Sequence, residues 1–114
     1  MKKILVLVGL VGISAWISIV HAKPLKTIAL KCQVVDARCD VTTGNHGVKN
    51  SACALKCLKS GSVLLLRDSH GNLYIPVNKN FQPIRTALIS KAGKMITIKG
   101  EVYKTKGVNF LVVK

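Results

Sequence analysis

Cys32, Cys39, Cys53 and Cys57 are the residues best able to do chemistry in this chain, with His46 and His70 as the histidines beyond the N-terminal segment. Thiolate and imidazole are ligands for zinc and for Cu(I), and Cys39, Cys53, Cys57 and His46 form a possible set of four. Cys53 and Cys57 stand four apart, which on a helix puts them on one face. Their spacing is not the paired two-residue knuckle of zinc fingers, and a long loop has to deliver His46, which otherwise reads as a solvated loop residue. The competing use of the same cysteines is structural. An even count in an exported chain implies two disulfides, with three possible pairings. A Cys53–Cys57 bridge is disfavoured, because β-carbons four apart on a helix lie about 5–6 Å from each other and a disulfide wants about 3.5–4.5 Å. Cys32 and Cys39 are then each expected to take one helix thiol. A bridge from Cys39 to that helix closes a loop worth about 3 kcal/mol on the chain-entropy model. Thiol exchange has a weaker case: Lys31, Arg38 and Lys56 each precede a cysteine, but the three-residue gap is not the oxidoreductase spacing of two.

The remaining inventory is thin for catalysis. Only Asp36, Asp40, Asp68 and Glu101 are acidic, and no hydrolase, zinc-protease or phosphate-loop motif occurs. Asp36 and Asp40 read as capping residues near the cysteines, and Glu101 as a surface partner of Lys99. The chain is expected to be non-enzymatic and to carry no cofactor.

Several elements must position these side chains. Lys2 and Lys3, an uncharged apolar stretch to Val20, and small or medium residues at 20–22 read as a cleaved signal peptide over residues 1–22. A single domain over 23–114 follows, periplasmic or secreted, with no membrane span of its own. Residues 27–36 alternate as a first strand, with Ile28, Leu30, Cys32 and Val34 on the core face. A polar loop follows Asp36. Ser51 then opens a short helix carrying Cys53 and Cys57, closed by Gly61. Residues 63–67 and 73–77 form a hairpin about Asp68 to Asn72, and Pro83 begins a second helix ending at Gly93. A last hairpin, 96–103 with 108–113, turns at Lys104 to Gly107. Five strands, with the cysteine helix between the first and second and another helix between the third and fourth, fit a mainly β, five-stranded OB-like barrel. The pattern also admits an open antiparallel sheet with two helices on one face.

Charge points to a partner. The chain has 18 Lys and Arg against 4 Asp and Glu, a formal charge of +14. Loss of residues 1–22 removes two lysines and no acid, leaving +12. So large an imbalance predicts attraction to an anionic envelope component or an acidic protein. The OB pattern suggests Lys56 and Lys59 on the helix and Lys104 and Lys106 in the last hairpin as contacts gathered at one rim. Only Tyr74, Phe81, Tyr103 and Phe110 supply rings beyond residue 22, which argues against single-stranded nucleic acid.

Val34-Val35-Asp36, Cys39, Gly44, Gly47, Cys53-Ala54, Lys56-Cys57, Gly61 and the Asp68 to Tyr74 turn together resemble a family of small exported bacterial OB-like proteins without an assigned activity. Ala92-Gly93-Lys94 leading into Ile96 fits the same pattern. The resemblance spans most of 27–113, is most specific between Cys39 and Cys57, and implies the fold rather than an activity. This chain departs from the pattern at Cys32, where the family has Gly nearby, at Asp40, where it has an aromatic, and at Asn50, where it has His. The added Cys32 is what makes the cysteine count even.

Overall fold

The computed structural model describes residues 25–44 and 51–114, with side chains from Thr27 onward. Strand β1 (Leu25–Asp36) runs directly into helix α1 (Ala37–Thr43), and helix α2 (Ser51–Lys59) leads to β2 (Leu64–Asp68) and β3 (Leu73–Val77). Helix α3 (Thr86–Ile89), β4 (Met95–Lys104) and β5 (Asn109–Val113) complete the order. The strands close into a barrel in the order β1-β2-β3-β5-β4, with β4 returning to β1. All pairings are antiparallel except β3 with β5. This is the OB-like barrel expected from the strand pattern, with helices where two were expected and a third besides. Barrel closure leaves no strand edge open.

The length of β1 makes closure possible. Its last five residues pair with β2, from Cys32 opposite Asp68 to Asp36 opposite Leu64, while Leu25 to Gln33 pair with β4. Alternation then sends Leu30, Cys32 and Val34 inward, where Leu58, Leu64, Leu66, Tyr74, Val102 and Leu111 meet them. Each fully buried aliphatic side chain contributes about 1.5–3 kcal/mol by leaving water.

Two expectations are corrected. The polar loop after Asp36 is helix α1, because Asp36 sits at its N-cap in extended conformation and Gly44 closes it in the left-handed region at φ 70°. The second helix is the single turn Thr86–Ile89: Pro83 instead bridges to Val77, and Ala92 and Gly93 lie in the turn beyond. The signal-peptide reading of residues 1–22 and the candidate ligand His46 lie outside the described residues. Among the described residues, no helix is long and apolar enough to cross a membrane.

Candidate metal centre

The site grows from the end of β1. The Asp36 side chain is buried and accepts a hydrogen bond from the Cys39 backbone N–H at 3.1 Å, satisfying a free donor in the first turn of α1. Ala37 N–H donates to the Val63 carbonyl at 2.8 Å, and the buried Asp40 carboxylate lies 3.6 Å from the Arg67 guanidinium on β2. Helix α1 is thereby fastened to the barrel on both sides of Cys39.

Helix α2 brings the other two thiols. Ala54 and Leu58 face the core, at 7% and 0% exposure. Cys53 and Cys57, one residue earlier in each turn, are rotated away from that stripe. The two helix thiols therefore do not point into the barrel: they flank that stripe and meet Cys39. The helix ends in a Schellman motif, with Gly61 N–H on the Leu58 carbonyl and Ser62 N–H on the Cys57 carbonyl, both at 3.1 Å. Arg85 clamps this end, its two guanidinium nitrogens donating to the carbonyls of Ser62 and Leu58 at 2.6 Å each. At the other end Gly93 lies so close that a β-carbon there would approach the Ser51 α-carbon to 2.7 Å, and its φ of 73° also favours glycine. Gly93 is fixed by its N–H on the Val34 carbonyl at 2.7 Å and by the buried Gln33 amide on its own carbonyl at 2.9 Å.

The outcome is a cluster of three sulfurs. Cys39, Cys53 and Cys57 place their Sγ atoms within 4.8 Å of one another, and among the described residues no further Cys, His, Asp or Glu joins them. The cluster opens into a cavity of about 670 Å³ lined also by Arg38, Lys56, Ser60 and Ser62. None of the four cysteines is bridged to another in the structure. Burial, the Asp36 carboxylate and a hydrogen bond with Cys53 push Cys39 up to about 12. That is opposite to the depressed value of a redox-active thiol.

Cys32 does not join the others. It is fully buried in the barrel core, where burial and the Asp68 charge push its thiol up to about 11. The expected pairing of Cys32 with a helix thiol is absent from the structure, since Cys32 points into the core, where α2 presents Ala54 and Leu58 and not its thiols.

The four candidate lysines divide into two pairs. Lys56 and Lys59 are exposed on α2, which leads to the Leu64 end of β2. Lys104 pairs with Asn109, whose amide donates to the Leu73 carbonyl at 3.2 Å, and Leu73 faces Arg67 at the other end of β2. The expectation of one shared rim is corrected accordingly: in this register the two loops bracket the sheet from opposite ends.

Sequence reasoning missed Arg85 and Gly93, which hold the two ends of α2. Glycine after an expected helix was a usable signal for Gly93, but nothing local to Arg85 marks a partner more than twenty residues away. The barrel's aromatic rings lie elsewhere. Phe81, at φ 57° and 48% exposed, packs edge-on against Tyr103 and Phe110 with centroids 5.4 and 5.8 Å away, while Tyr74 is buried.

No protein-family model matches the chain, and no curated protein or solved structure matches it either.

Proposed function

We propose that the protein binds a soft metal ion, Cu(I), through the thiolates of Cys39, Cys53 and Cys57. The observation that carries this reading is the approach of the three sulfurs to within 4.8 Å of one another. Metal–thiolate bonds of about 2.3 Å imply sulfur separations of about 3.8–4.0 Å, so small side-chain rotations close the set around one ion. One disulfide among three thiols leaves one unused, whereas an ion uses all three. The donor set is soft and three-membered among the described residues, which favours Cu(I) over zinc, an ion that takes four ligands in structural sites. The disulfide-stabilised reading remains the competing one, and export as read from residues 1–22 favours it. Its compact form is a single Cys39 bridge to α2.

Metal titration of the reduced protein under argon tests this. One Cu(I) per chain is expected, with ultraviolet thiolate-to-metal absorption, and Ser at Cys39, Cys53 or Cys57 is expected to abolish stoichiometric uptake. Cys32→Ala is expected to preserve it. His46→Ala separates the ions: unchanged Cu(I) uptake fits a three-sulfur site, while a preference for zinc lost with His46 replaces Cu(I) by zinc on four ligands. Absence of uptake by the reduced wild-type chain overturns the metal reading.

A further inference from the structure

We infer that the basic rim of the thiol cavity is a docking face for an acidic protein partner that exchanges the ion with Cys39, Cys53 and Cys57; this rests on the metal reading above. Arg38 and Lys56 line the same cavity as the three sulfurs, and Lys59 and Lys56 line the adjoining hollow on α2. All three are exposed.

No carboxylate competes for them. The nearest acids, Asp36 and Asp40, are 2% and 7% exposed, one capping α1 and the other beside Arg67. The other two acids of the chain are also engaged: Asp68 holds its own turn through His70, Asn72 and Tyr74, and Glu101 pairs with Lys114 at 2.8 Å. The cationic groups around the cavity therefore face outward with their charge unspent on the chain itself. Part of that charge offsets the anionic metal-thiolate cluster, but all three groups sit on exposed helix positions at or beside the cavity, where an arriving surface meets them first. Complementary charge at a rim acts on the rate of encounter more than on the final affinity.

A protein partner is favoured over an anionic membrane by the chemistry of exchange. An ion passes between sites by ligand substitution: thioether, thiolate or imidazole donors of the partner are released as three sulfurs of this chain bind, and the protons of the three thiols leave to solvent. Copper stays Cu(I) throughout. Lipid head groups offer carboxylate or phosphate, not soft donors, whereas an acidic protein can carry both the charge and the donor.

The probe is a synthetic peptide with two methionine thioethers flanked by glutamates, loaded with Cu(I) under argon, beside a peptide with glutamines in place of the glutamates. Transfer to the full chain is followed by stopped-flow thiolate absorption. Transfer from the acidic peptide is expected to be about tenfold or more faster at low salt, and the advantage to fade towards about 0.15 M salt. Lys56→Glu with Lys59→Glu is expected to remove the advantage of the acidic peptide over the glutamine peptide, a ratio in which any change of Cu(I) affinity caused by Lys56 lining the thiol cavity cancels. Lys56→Gln with Lys59→Gln serves if reversed charge weakens the helix end. Lys104→Glu with Lys106→Glu, an equal change of net charge at the far end of β2, is expected to keep the advantage. Equal rates from the two peptides, or equal loss in both double variants, overturns the docking face. So does tight sedimentation with phosphatidylglycerol vesicles that blocks transfer from the acidic peptide, which would assign the rim to a membrane. Failure to take Cu(I) from the chelator overturns the metal reading and the docking face together, whereas charge-independent transfer overturns the docking face alone.

Discussion

Cys39 is the thiol most altered by folding, by burial first and then by two neighbouring residues. Partial burial, the Asp36 carboxylate and the Cys53 thiol all favour its protonated form. A metal ion must displace that proton, so the apparent affinity should rise with pH, by about tenfold per unit from this thiol alone while it stays protonated. Asp36→Asn separates the two jobs of Asp36. Asparagine caps a helix about as well as aspartate, so α1 should persist, while the negative charge beside the sulfur is gone. The Cys39 midpoint, followed by the pH dependence of its alkylation rate, is expected to fall by about a unit from about 12. An unchanged midpoint in a folded variant would mean that the carboxylate does not act on the sulfur.

At the scale of elements, the site is two short helices held by groups outside them. Helix α2 has nine residues, too few to be stable in isolation, and it stays folded because Ala54 and Leu58 are buried and both ends are held. Arg85→Leu removes two charged hydrogen bonds to the carbonyls of Leu58 and Ser62 and leaves those acceptors at the negative end of the helix. A loss of about 2–3 kcal/mol in urea unfolding is expected, together with weaker metal uptake, because Cys57 precedes the released turn. A loss below about 0.5 kcal/mol would show the clamp to be a surface contact.

For the whole molecule, stability should depend on pH through the turn between β2 and β3. Burial works against the Asp68 charge, but hydrogen bonds from Asn72, Tyr74 and the His70 backbone more than offset it and hold its pKa below the ordinary 3.8. A carboxyl whose folded pKa is depressed binds fewer protons than in the unfolded chain. Its contribution is therefore full above the unfolded value and is lost as pH falls through the folded one. Asp68→Asn is expected to destabilise the barrel at pH 7 and to lose much of that deficit in acid below the folded pKa, as read by urea unfolding at the two pH values. A deficit that does not shrink in acid would mean that shape rather than charge matters there.

The strands and their inward faces were legible because alternation is a property of neighbouring residues: Leu30, Cys32 and Val34 needed no partner to be placed inside. The same holds for Cys53 and Cys57, whose spacing puts them on one face of any helix. Helix α1 was hidden because most of its seven residues are polar or β-branched and carry little helical pattern; its order comes from Asp36 and Gly44 at its ends and from the Asp40–Arg67 pair. The sequence by itself determined the charge, the strand count and the shared face of two thiols. Only the tertiary structure decided that Cys39 is the third sulfur and Cys32 is not, and that the lysines part to opposite ends of β2. Those outcomes depend on the registers of β1 with β2 and β4, which are set by packing between distant segments.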